Sequence, residues 1–153
     1  MRAAVLVAAA FGIGVVWGGS GAVRGMTRSA TVTQTPRVFS AETGMLLDYV
    51  KAGQTDAFEG AMTRVGVALT SSAAADRRRQ AVGWKIYKAA EPLPGDVVLY
   101  VSVLEPVVTG ADYWVPQILN EAFPTEVQTL YETYAGAFAD GQMLLNLIPV
   151  SGL

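Results

Sequence analysis

The chain has neither cysteine nor histidine among its 153 residues. Without thiols there are no disulfides and no thiolate metal sites. Without imidazole, the usual general acid-base group near neutral pH and the commonest metal ligand are gone. A histidine-dependent triad and a histidine-held haem are excluded outright. Charge is scarce as well: 11 basic and 13 acidic residues leave a net of -2. There is no basic stripe interleaved with aromatics, so nucleic acid is not an expected partner. Glu121, Glu126 and Glu132 lack a metal-ligand spacing, and neither a metal nor a cofactor is expected. Carboxylates, tyrosines, lysines and backbone groups remain as the available chemistry.

A long membrane-spanning run is also missing. The N-terminus reads "MRAAVLVAAAFGIGVVWGGSGA": one positive residue, Arg2, then an apolar run from Ala3 to Trp17. At about 15 residues this falls short of the roughly 20 that a span requires. Small residues follow, with Ser20 and Ala22 at small-x-small spacing. The pattern predicts a signal peptide over 1–22, cleaved after Ala22; the alternative is an uncleaved anchor, the one circumstance in which a membrane would be a partner. Its glycines belong to that segment and form no nucleotide loop. An exported chain without cysteine suits a bacterial periplasm or the exterior. Residues 23–43, polar and rich in Thr and Ser, read as a flexible leader.

What is present begins at Gly44, where a folded domain over 44–150 is expected. "MLLDYV" reads as a strand. "TDAFEGAMTRVGVALTSS" reads as a helix, with Asp56 as cap and Glu59 as its capping-box partner. Phe58, Ala61, Met62, Val65 and Leu69 recur at helical spacing. Residues 71–81, ending in "DRRRQ", read as a helical extension or loop, its charges facing solvent. Trp84–Lys88 is a second strand, "PLPG" with Asp96 a turn, and "VVLYVSVL" the strongest strand, stopped by Pro106. A second helical region starts near Asp112, its expected cap, breaks at Pro124 and resumes over "TEVQTLYETYAGAF". Gly141 closes it, and "QMLLNLIPV" is the last strand. The order βαββαβ predicts an α+β fold with a four-stranded antiparallel sheet and helices on one face.

Side chains alternate across a strand. Val97, Leu99, Val101 and Val103, with Met143, Leu145, Leu147, Met45, Leu47, Tyr49, Trp84 and Ile86, form the more uniformly apolar set, expected beneath the helices. The reverse side is then Leu46, Asp48, Val50, Lys85, Tyr87, Val98, Tyr100, Ser102, Leu104, Leu144, Asn146 and Ile148. That side is also largely apolar, and no remaining element would cover it. A second copy packed sheet against sheet resolves the exposure.

The order of elements, with "GMLLDYVKAGQTDAFEGAM" and "GWKIYKAAEPLPGDVVLYVSVLEP", resembles the dimeric α+β barrel proteins, which include the antibiotic-biosynthesis monooxygenase-like domains. The resemblance covers roughly residues 44–150. "GWKIYKAAEP" and "GADYWVPQILNEAFP" are also similar to small exported bacterial proteins of unassigned role. The resemblance to the barrel proteins implies a ferredoxin-like fold, a homodimer, and a small apolar ligand in the barrel interior or in a sheet-helix cleft. Several enzymes of that group depend on histidine.

Asp48 is the ionisable residue of most interest. With Lys85, Tyr87, Tyr100, Ser102 and Asn146 it is expected to line one polar pocket, or else to fix dimer register through a network. Tyr113 and Trp114, ahead of Pro116, are expected as packing or as a wall of the same pocket. The reading that follows is a homodimeric exported protein, not an enzyme, that binds a small apolar ligand or serves in assembly. The alternatives are a cofactor-free monooxygenase-like enzyme on an aromatic or lipid-like substrate, using Asp48, Tyr100 and Asn146, and a structural subunit of an envelope complex.

Overall fold

A computed structural model describes residues 36–151. The expected signal peptide and most of the expected leader lie outside the described residues. The elements run β1 (Thr43–Lys51), a short 3-10 turn, α1 (Thr55–Ser71), α2 (Ala75–Gly83), β2 (Trp84–Lys88), β3 (Val97–Leu104), α3 (Val115–Ala122), α4 (Val127–Ala137) and β4 (Phe138–Leu147). The strands form one sheet in the order β2-β3-β1-β4, and every neighbouring pair is antiparallel. The fold is mixed α+β, with its helices on one face of that sheet.

The apolar stripe of α1 lands where its spacing predicts: Phe58, Ala61, Met62, Val65, Ala68 and Leu69 are all buried. The capping box is not formed. Gln54 occupies the cap position without a side-chain bond, and Asp56 lies within the first turn, where its charge still favours the helix dipole. The "DRRR" run is solvated at Asp76, Arg78 and Arg79, as expected, and only Arg77 turns into the fold. Arg77 clasps Glu121 through two 2.8 Å bonds, Arg78 donates to the carbonyls of Ser72 and Ala73, and Arg79 pairs with Asp76. The last strand starts at Phe138 rather than Gln142. Its register against β1 shifts between Tyr49 and Val50, beside Gly141, whose φ of 111° a residue with Cβ rarely adopts.

The assignment of sheet faces is inverted relative to the sequence expectation for β1, β3 and β4, while that of β2 is as expected. Leu46, Asp48, Val50, Tyr100, Ser102 and Leu104 are buried, beneath the helices and loops. Val50 and Tyr100 join one core cluster with α1, α3 and α4. Leu46 and Leu104 join a second, with Phe39, Val107 and Tyr113. Neither cluster contains an odd-numbered residue of β1 or β3. Met45, Leu47, Tyr49, Val97, Leu99, Val101, Val103, Met143, Leu145 and Leu147, expected in the core, share the other side by register. Lys85 and Tyr87 pair with Val103 and Val101 and lie there too, separated from Asp48, while Trp84 and Ile86 share the helix side. The physical reason is that polar residues are tolerated under the helices where partners meet them, as Gln142 meets Asp48 and Glu59 meets Tyr100, so counting apolar residues does not identify the covered face.

The packed region also begins earlier than Gly44. Phe39 is buried at 2 % exposure and meets Tyr113 edge-on, with ring centroids 5.3 Å apart. A Cβ at Gly44 would clash with that ring, so this glycine makes room for Phe39 on the sheet. The amide of Tyr113 donates to the carbonyl of Arg37, and that of Val107 to the carbonyl of Glu42. Residues 37–42, read from their polarity as leader, are therefore fastened to the fold.

Candidate functional site

Asp48 sits mid-strand on β1, opposite Tyr100 of β3 and Gln142 of β4. The Gln142 amide donates to Asp48 Oδ1 at 2.6 Å and reaches the Tyr134 hydroxyl at 3.4 Å. Burial pushes the Asp48 carboxyl up from 3.8 to about 6, against the opposing pull of the Gln142 bond and the Arg37 charge. Burial also raises the Tyr134 hydroxyl, and the charge of Asp48 adds to it.

In front of this buried group opens a cleft of about 260 Å³. The segment before β1 supplies Arg37; the entry to α3 supplies Trp114 and Pro116; α4 supplies Tyr131, Tyr134 and Ala135; β4 supplies Phe138, Gly141 and Gln142. Tyr134 and Phe138 meet edge-on, their centroids 4.9 Å apart, and so pack against each other in that wall. Arg37 Nε is buried and has no hydrogen-bond partner among the described residues. Asp112 sets the geometry of the entry: its Oδ1 accepts the amides of Arg37 and Trp114 at 2.7 and 2.9 Å. The position that begins α3 is Trp114, so Asp112 holds the preceding turn rather than capping the helix. Pro116 stands in the first helical turn, as expected.

The eight residues expected to form one pocket are dispersed. Asp48 backs the cleft and Trp114 lines it. Tyr113 is core at 1 % exposure, packed against Trp84 with centroids 5.6 Å apart, its hydroxyl accepting the Val108 amide at 2.8 Å. Tyr100 points its hydroxyl to Glu59, which also pairs with Lys88 at 3.0 Å; these two bonds hold the Glu59 carboxyl below its usual range. Ser102 is fully buried, its hydroxyl without a partner among the described residues. The side chain of Asn146 accepts the amides of Ser40 and Ala41 and so helps to fasten the segment before β1. Lys85 and Tyr87 lie across the sheet. Arg37, Tyr131, Tyr134 and Gln142 were not singled out by the sequence. Arg37 lies in a stretch whose composition reads as leader, and Gln142 is linked to Asp48 only by strand register.

Among the described residues, no group of three or more acidic, histidine or cysteine side chains is placed to hold a metal, and no helix is long and apolar enough to cross a membrane. No protein-family model matches the chain, and neither a curated protein nor a solved structure matches it.

Proposed function

We propose that this chain is an exported, homodimeric α+β barrel protein of ferredoxin-like topology. In this reading it works as a non-enzymatic assembly module with room for a small ligand. The observation that carries it is the side of the sheet that no described residue covers, where Met45, Leu47, Leu99, Val101, Val103, Met143, Leu145 and Leu147 stand together. Met143 is 47 % exposed. The strand order, with each neighbour antiparallel and the helices on one side, suits a βαββαβ unit of that topology.

A second copy is the occupant that best fits this side. Four strands about 4.8 Å apart, averaging eight residues that rise about 3.3 Å each, give a footprint of about 500 Å² per copy. Two copies reach about 1,000 Å², the size at which specific interfaces begin. An apolar sheet face can pack against its own copy about a two-fold axis. Its charges are peripheral. Lys85 is on the edge strand β2, and Lys51 turns away to the carbonyl of Gly136 at 3.0 Å. Among the described residues with register partners, the ionisable groups on this side are Tyr49, Tyr87 and these lysines. The carboxylate Asp48 is on the other side, which favours assembly over chemistry within a barrel. Export rests on the pattern of residues 1–22.

Light scattering on the protein as its host processes it tests the pairing. Wild type should weigh twice its chain at low-micromolar concentration. Val101→Lys, at the centre of the patch, should weigh one chain with an unchanged circular-dichroism spectrum. A monomeric wild type, or a Val101→Lys variant that stays dimeric, refutes the proposal.

A further inference from the structure

We propose that the cleft between α4, β4 and the entry to α3 binds a small aromatic carboxylate, its carboxylate on Arg37 and its ring against Trp114 and Tyr131. The site lies on the helix side of the sheet, so it stands whether or not the open sides pair.

Three features select this ligand class. The first is charge. Among the described residues, Arg37 is the only charged one lining the cleft. Asp48 lies behind it at 2 % exposure, engaged by Gln142. None of the ion pairs among the described residues involves Arg37, whose charge acts on Asp48 without pairing with it. A planar guanidinium matches a carboxylate with two parallel bonds. The second is shape. Trp114, Tyr131 and Phe138 present ring surfaces to a flat apolar body, and Tyr134 packs edge-on against Phe138 in one wall. The third is size. A cleft of 260 Å³ is smaller than the ~300–1,000 Å³ typical of drug-sized ligands and equals the liquid volume of about nine waters. A single ring with a short acid arm, roughly ten non-hydrogen atoms, fills it; a long acyl chain or a peptide does not.

The segment carrying Arg37 is built for this role. Its amide is held by Asp112, which also holds the amide of Trp114, and its carbonyl accepts the amide of Tyr113. One aspartate thus fixes the spacing between the expected carboxylate clamp and the expected ring platform, on two segments 75 residues apart in sequence.

The test is a nitrogen-15 NMR titration of the protein with sodium phenylacetate, compared with benzyl alcohol and sodium acetate. Phenylacetate should give saturable shifts at the Trp114 indole and the Gln142 side-chain amide. Benzyl alcohol, with the ring but no charge, should bind about tenfold more weakly or worse, and acetate, with no ring, likewise. Arg37→Gln should remove the preference for phenylacetate over benzyl alcohol, while Trp114→Ala should weaken both. No saturable shift at these two groups by about 10 mM phenylacetate, a range that still detects weak binding, overturns the proposal. So does equal binding of phenylacetate and benzyl alcohol by the wild type, a comparison that does not depend on either variant folding.

Discussion

Replacing Asp48 with asparagine should make the protein more stable at neutral pH, although it alters a buried group that is hydrogen-bonded. The carboxyl is 2 % exposed and its folded-state pKa is raised from 3.8 to about 6. Between those values the folded chain holds a proton that the unfolded chain has lost. Stability contributed by this group is therefore complete below about pH 4, falls as pH rises towards 6, and is absent above. The interval is about 2 pH units, which at 1.36 kcal/mol per unit comes to on the order of 3 kcal/mol. The asparagine side chain in Asp48→Asn retains an acceptor for the 2.6 Å bond from Gln142 and carries no charge to desolvate. Urea unfolding of wild type and Asp48→Asn at several values between pH 4 and 7 isolates this group, because the other carboxylates cancel in the difference. The two proteins should match near pH 4, and the variant should lead by about 2–3 kcal/mol at pH 7. A difference that is flat across the window, or a variant weaker at pH 7, would refute the assignment of desolvation as the dominant force on Asp48.

Two glycines of opposite surroundings should respond in opposite directions. A Cβ at Gly83 would lie 2.5 Å from the carbonyl oxygen of Pro106, a backbone atom that cannot swing aside. Gly83→Ala should cost roughly 1–3 kcal/mol in denaturant unfolding. Gly60, inside α1, has nothing within 4 Å of its Cβ position, and Gly60→Ala should gain about 0.5–1 kcal/mol. Arg77→Lys should lower the unfolding free energy by about 1–2 kcal/mol. It removes the two-pronged grip on Glu121 and the bonds to Gln80 and the Asp112 carbonyl, all from a side chain only 12 % exposed. Differential scanning calorimetry would read that loss as a lower melting temperature.

The order of elements could be read from periodicity and punctuation. The stripe on α1, the Pro-Gly turn before β3 and the break at Pro124 each have local causes, and local causes are written in consecutive residues. Non-local properties were not readable in the same way. Which parity of the strands faces the helices depends on how α1 docks. The sequence pattern of "VVLYVSVL" is apolar on both sides, so it does not choose. The covered side holds Asp48, Tyr100 and Ser102, of which Asp48 and Tyr100 find partners on β4 and α1, at Gln142 and Glu59. Those partners lie 94 and 41 residues away in sequence. The cleft was only half legible for the same reason. Trp114 announces itself beside Pro116, but Arg37 gains its meaning from Asp112, 75 residues on. Residues 37–42 look like a leader because their fastening is mostly backbone amides and carbonyls, which every sequence possesses.

The central claim is that two copies of the uncovered sheet side meet. Isotope-filtered NMR tests it most directly, on a mixture of one protomer labelled at Leu, Val and Met methyls with an unlabelled partner. Cross-peaks between copies should appear at Leu47, Val101, Met143 and Leu145, and be absent from core methyls such as Leu69 and Leu119. Cross-peaks confined to the helix side, or none at all at concentrations of about 100 μM, well above the Kd of a stable dimer, would contradict it.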